Sequence, residues 1–195
     1  MAGENLIPRN MITGLLLAGG AGRRVGYRDK GTLPWQGEPL AAHSFARMAP
    51  QVGKVMISCN RNRGFYLRFG CELIADLRED YQGPLAGLEA AAVHCNTDYL
   101  LLAPCDTPRL PENLGQRLAA ALADTPSANI SYARAAGRDH FLCALLRQHC
   151  LHSLGPFLDN GGRAVRHWFA EQCAIAVDFP DEDNAFLNIN SEASP

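Results

Sequence analysis

The chain has 195 residues, 47% of them hydrophobic and 19% charged, with a formal net charge of −2. That length suits one well-buried domain and is short for two, and the composition is that of an ordinary soluble globular protein. The near-neutral charge argues against wholesale binding to nucleic acid or an anionic membrane surface, no apolar run approaches the roughly 20 residues that span a bilayer, and the opening MAGENLIPRN has no secretory apolar core.

The first element is the apolar run Ile12, Leu15, Leu16 and Leu17, too short for a helix and so read as a buried strand. The chain switches at once to Gly19, Gly20 and Gly22, which tolerate positive φ and allow a backbone to approach a ligand closely. Arg23, Arg24, Arg28 and Lys30 follow, against the single anion Asp29, within a chain that is acidic overall. A strand emptying into a glycine-rich basic loop fits a polyphosphate, whose oxygens take backbone N–H groups and whose charge takes long cations. The glycine spacing is not that of a dinucleotide-binding fingerprint, and no Gly-Lys-Ser/Thr closes it as in a P-loop.

Residues 32–37 predict a hairpin-like excursion, and Pro39 can open a helix reaching about Met48. A second strand is expected over 54–59, a short helix over 61–69 stopped by Gly70, and a brief strand over 72–75 followed by Asp76. Pro84 then starts a helix through Cys95, and YLLLA at 99–103 is the most apolar strand candidate. An Ala/Leu-rich helix covers 111–123. Two strands at 129–135 and 141–146 flank a polar turn at Gly137, Arg138 and Asp139. Helical stretches at 148–158 and 163–171, a late strand at 173–177 and a short element at 185–189 complete the pattern.

This alternation predicts a single α/β domain over 1–195 with a doubly wound, mainly parallel sheet flanked by helices, Rossmann-like in its nucleotide-binding character. Ligands in such sheets bind beyond the carboxyl ends of the strands. The residues to read are therefore 18–30, Ser58 to Asn60, Asp76 and Asp106. Asp106 sits in the rigid turn Pro104-Cys-Asp-Thr-Pro108, where a carboxylate can serve Mg²⁺ together with substrate phosphates or can cap the next helix. Asp76 can accept from ribose hydroxyls or guanine N–H groups, or be a solvated turn residue.

Seven cysteines without CxxC spacing, several of them in apolar surroundings (Cys59, Cys143, Cys173), predict a reduced cytoplasmic protein with buried thiols. His149, Cys150 and His152 match no standard zinc spacing and read as ordinary side chains at a helix end.

Taken together, LLLAGGAGRRVGYRDKG, Gly83-Pro-Leu-Ala-Gly87 and Pro104-Cys-Asp-Thr-Pro108 resemble the molybdenum cofactor guanylyltransferase family, and Gly137-Arg-Asp-His140 and Asn184-Ala-Phe-Leu-Asn-Ile-Asn190 extend the likeness to about Ser191. The resemblance implies transfer of GMP from GTP to a molybdenum–molybdopterin cofactor with Mg²⁺, releasing pyrophosphate. It implies nucleotide contacts at Leu17, Ala18, Gly19, Gly20, Lys30, Asp76 and Asp106, with Asp106 the metal ligand and Arg24 and Lys30 neutralising the triphosphate. Ser58 stands where the family carries Asn, with Asn60 two residues on. Residues 12–110 would bind nucleotide and 129–191 the acceptor, for which Arg138, Asp139, Asn188 and Asn190 are candidates. Molybdoenzymes or their chaperones would be downstream partners. Cytidylyl transfer to the same pterin, a sugar-1-phosphate nucleotidyltransferase and a GTP-binding delivery protein without chemistry are the competing readings.

Overall fold

Apolar runs of strand length alternate with helix-forming stretches, and the computed structural model, which describes residues 7–19, 29–79, 83–180 and 184–189, folds that alternation into three layers. The chain runs β1 (Ile12–Leu17), β2 (Pro34–Trp35), β3 (Glu38–Pro39), α1 (Leu40–Met48), β4 (Lys54–Ser58), α2 (Arg63–Tyr66), β5 (Glu72–Ile74), α3 (Pro84–His94), β6 (Tyr99–Pro104), α4 (Leu114–Asp124), β7 (Ile130–Ala135), β8 (Arg138–Arg147), α5 (Leu154–Asp159), α6 (Val165–Glu171) and β9 (Ala174–Asp178). A seven-stranded sheet has the order β5-β4-β1-β6-β8-β7-β9. Strands β4 and β6 both flank β1 in parallel, and β8 alone runs against its neighbours β6 and β7. The sheet is therefore mainly parallel, as the sequence predicts.

Both faces of the central strands are apolar because both are covered. Ile12, Leu16, Ile57 and Leu101 pack with Ala41 and Met48 of α1 and Leu114 and Leu118 of α4. Leu15, Met56, Leu100 and Leu102 point the other way, onto Leu85 and Leu88 of α3, Leu154 of α5 and Trp168 of α6. Successive strand residues thus feed opposite layers, the period-2 rule at work.

The reversal at β8 comes from a two-residue turn. Ala136 (φ 48°) and Gly137 (φ 69°) both adopt the left-handed conformation that matches strand twist in a tight hairpin. Strand β8 consequently begins at Arg138, three residues before the predicted 141, and the turn narrows to Ala136-Gly137. Gln36 (φ 50°) and Gly37 (φ 89°) make the same kind of connection between β2 and β3, which confirms the predicted excursion. The helix expected over 61–69 shrinks to α2 and a 3-10 turn over Leu67–Phe69, because Asn62 is left-handed (φ 52°) and no helix can run through it. Among the described residues no helix is long and apolar enough to cross a membrane.

Helix α3 crosses the sheet closely. A Cβ on Gly87 would stand 2.6 Å from Ser58 Oγ and 3.0 Å from Leu17 Cδ2, on strands that are locked on both sides. Gly87→Ala is therefore expected to lower stability by about 1–2 kcal/mol, because overpacking outweighs the gain in helix propensity. The denaturation midpoint measures this; a variant as stable as the parent would mean that α3 can shift away from the sheet.

Cys59, Cys95, Cys105, Cys143 and Cys150 are buried and all seven thiols are free. Burial pushes the Cys59 thiol up and raises Cys150 to about 12, so these are packing residues and not nucleophiles. Cys173 departs from the expectation of a buried thiol. Left-handed (φ 51°) between α6 and β9, it is turned out to solvent.

Candidate active site

The carboxyl ends of β1, β4, β5 and β6 lie side by side, and backbone pairing continues just past them. Ala18 N donates to Ser58 O (2.8 Å), Cys59 N to Ile74 O (2.9 Å) and Cys105 N to Leu17 O (3.0 Å). These bonds fix the first turn residue after each strand, and so the groups that follow. They also set a limit on the predicted cradle: the Ala18 N–H is committed to Ser58, so N–H groups for a phosphate start no earlier than Gly19. Gly20 and Arg24, along with Asn190, lie outside the described residues.

Lys30 and Asp106 meet. The ammonium Nζ is 2.9 Å from Asp106 Oδ2, joining residues that the chain separates by more than a whole βαβ unit. Asp106 is 6% exposed, in the turn that directly follows β6, and its carbonyl accepts from Ile189 N (2.9 Å). It caps no helix: α4 begins at Leu114 with Asn113 before it. Cys105 beside it is buried, its thiol pushed well up by desolvation and then by the Asp106 charge, and its carbonyl accepts from Ser44 Oγ (3.1 Å).

Asp76, after β5, is half-buried and is not a free turn residue. Its Oδ2 accepts from Asn60 Nδ2 (2.7 Å) and its backbone N–H donates to Asn60 Oδ1 (2.9 Å). Desolvation raises its pKa, while hydrogen bonds from Asn60 and Ser58 pull it back. Asn60 also lines Gly19, where a Cβ would come within 3.3 Å of its Nδ2 and 3.5 Å of Ser58 Oγ. Ser58 itself is 1% exposed. The amide reaching the crevice from β4 is thus Asn60, two residues beyond Ser58.

Asp29, with Gly31, Asn62 and Tyr66 that sequence reading did not single out, supports the Lys30 side. The carboxylate of Asp29 is 5% exposed and accepts from Gly31 N (3.0 Å), Tyr66 Oη (2.8 Å) and Asn62 Nδ2 (3.1 Å). Farther out, Asn188 is exposed and its Oδ1 accepts from Thr107 Oγ1 (3.2 Å), which draws the 184–189 segment onto the Asp106 turn. Arg138 and Asp139 open β8 as exposed residues, with Asp139 held by Arg134 (2.7 Å). His149 bonds Asn129 Oδ1 (3.0 Å) next to buried Cys150.

A cationic and a carboxylate side chain are therefore set side by side, a pair whose chemistry could serve a phosphate and a hard cation. The fit to Mg²⁺ rests on donor chemistry. A carboxylate already facing a cation at 2.9 Å is an oxygen site that needs positive charge, and Mg²⁺ commonly takes one or two carboxylates and leaves its other positions to phosphates and water.

A family model described as "MobA-like NTP transferase domain" matches residues 14–175. A molybdenum cofactor guanylyltransferase of Shewanella piezotolerans is 39% identical over 180 residues, covering 92% of this chain and 88% of that protein. One from Cupriavidus metallidurans is 40% identical over 191 residues, covering 95% and 93%. Among solved structures, molybdopterin-guanine dinucleotide biosynthesis protein A of Archaeoglobus fulgidus superposes with a TM-score of 0.72 at 21% identity, covering 92% of both chains.

Proposed function

The chain belongs to the MobA-like NTP transferase family, and from that premise we propose that it transfers GMP from GTP to the molybdenum–molybdopterin cofactor, giving the guanine dinucleotide form and pyrophosphate. The observation that carries the reading is the meeting of Lys30 with Asp106 at the carboxyl ends of β1 and β6. The proposed division of labour gives 12–110 to the nucleotide and 129–191 to the acceptor, within one domain.

The terminal phosphate of the pterin attacks the α-phosphorus of GTP in line. One P–O bond forms there, the bond to the β-phosphate oxygen breaks, and pyrophosphate leaves with the electron pair. A phosphate monoester is already anionic near neutral pH, so no general base is required. Bringing two polyanions together is the difficulty, and positioning with charge neutralisation is the remedy. Lys30 turns from Asp106 to neutralise the triphosphate, a role it shares with Arg24. Asp106 would hold Mg²⁺, which when bound supplies charge neutralisation on the phosphates. Leu17, Ala18, Gly19 and Gly20 border the nucleotide, with Asn60 serving in place of Ser58 beside it. Asp76 accepts from the nucleoside's donors, either ribose hydroxyls or guanine N–H groups. Asn188 and Asn190 face the amide-like edge of the pterin, where a side chain that both donates and accepts is useful. Free thiols throughout are consistent with a cytoplasmic location, and molybdoenzymes or their chaperones would take the product.

Pyrophosphate release, measured with each of the four nucleoside triphosphates with and without molybdopterin, tests the whole reading. GTP alone should support release, and only with the pterin present. Preference for CTP would make the protein a cytidylyltransferase; GTP binding without release would make it a carrier.

Asn60→Ala sharpens the nucleotide side. Loss of a charge-assisted donor of about 1.5 kcal/mol should raise the KM for GTP roughly tenfold. The loss also lets the pKa of Asp76 climb further, so protonation persists to higher pH and the defect should be larger at pH 5.5 than at pH 8. A KM that matches the parent at both pH values would remove Asp76 and Asn60 from the nucleotide site.

A further inference from the structure

Asp29 looks at first like an ordinary cap on the 3-10 turn Lys30–Thr32, since its Oδ1 accepts from Gly31 N. A cap on a three-residue turn needs one oxygen and can stay in water. Here both oxygens are used and the group is buried, with two of its donors arriving from the α2 region, Asn62 and Tyr66. Burying a carboxylate is costly, and truncating a partner of a buried charge costs more than a surface pair is worth.

The surroundings are built around that contact. A side chain at Gly31 would run into the Tyr66 hydroxyl, and Ala41 and Cys105 close the remaining space at 3.2 Å and 3.3 Å. The phenol stays protonated, because burial, with help from the Asp29 carboxylate, pushes its ionisation up. Thr32 adds two bonds to the Asp29 carbonyl, from its backbone N–H (3.1 Å) and its hydroxyl (2.8 Å). The turn is thereby held from within and from α2, with Lys30 between the fixed ends and its ammonium on Asp106.

We propose that Asp29 is a positioning residue of this site, whose buried carboxylate clamps the 29–31 turn to Asn62 and Tyr66 and so aims Lys30 at the centre of the crevice. The assignment rests on the reading of Lys30 as the triphosphate-facing cation. It differs in kind from a structural role, because its effect must pass through one side chain.

The test uses pyrophosphate release and GTP titration on the full chain. In Asp29→Asn the amide oxygen can still accept from Gly31 and Tyr66, but its nitrogen opposes the Asn62 amide, donor against donor. The expected result is a fall in kcat/KM of roughly 10–30-fold, carried mainly by the KM for GTP. Adding Asn62→Asp restores the donor–acceptor sense with the roles exchanged and should recover activity to within about threefold. In a Lys30→Met background, Asp29→Asn should cost less than about twofold more, since effects through one residue do not add. An equal loss with or without Lys30, or wild-type kinetics in Asp29→Asn, would overturn the assignment. Should Asp29→Asn fold poorly, Tyr66→Phe carries the same comparison: a loss present with Lys30 and absent without it supports the clamp, and any other pattern counts against it. Inactive parent protein with all four nucleotides would instead sink the transferase reading itself, which separates the two failures.

Discussion

Asp106→Asn is expected to abolish transfer by roughly two to four orders of magnitude while the fold survives. The amide keeps the shape of the carboxylate and the backbone bond from Ile189 N, so the turn after β6 has no reason to move. What disappears is the negative charge, and with it the oxygen donor suited to Mg²⁺ and the ion pair with Lys30. Pyrophosphate release across a Mg²⁺ titration, with a thermal melt alongside, reads both halves of the expectation. An active Asn variant, or full turnover of the parent in chelator, would take the metal role away from Asp106.

Lys30→Met should weaken GTP binding and turnover together, because a cation opposite a triphosphate holds the ground state and holds the charge that develops in the transition state more strongly. A charge-assisted hydrogen bond of about 1.5–3 kcal/mol corresponds to a loss of roughly 10- to 150-fold. The substitution also leaves the buried Asp106 carboxylate without its ion-pair partner, so a lowered melting temperature should accompany the kinetic defect. Titration of the variant with GTP measures the affinity directly. A curve that overlays the parent's would mean that the phosphates lie elsewhere than the 18–30 loop.

The strands and the crevice were legible in the sequence because their signals are local. Runs such as 12–17 and 99–103 are apolar on both faces, and the turn residues that follow them carry the charges, which is sufficient to place Lys30 and Asp106 at the same end of the sheet. The 2.9 Å contact between them follows from that topology. Asp29 was legible only as one anion among cations, since its partners Asn62 and Tyr66 are set by tertiary packing and leave no periodic trace. The same holds for Asn60, whose role depends on the reach of an amide past the end of β4 to Asp76. Helix α2 fell short of its predicted span because a single left-handed backbone at Asn62 overrides the propensity of its neighbours. Cys173 was misjudged for a similar reason: an apolar stretch of sequence says little about which way a left-handed residue points.

The position of β1 has a consequence for how the protein is made. Its hydrogen-bonding edge toward β6 is satisfied only when Ile12 finds Tyr99 and Leu17 finds Pro104, a closure over nearly half the chain, whereas β4 completes the other edge much sooner. During synthesis the N-terminal segment therefore spends the interval with an apolar strand open along one side, the state in which nascent α/β chains are most exposed to mispairing. Because the loop must close before any of that pairing is rewarded, assembly of this sheet is slow for its size. The insertion of β6 seals that edge of β1 and delivers Asp106 to Lys30 in the same event, and it passes the open edge on to β6 until β8 pairs there.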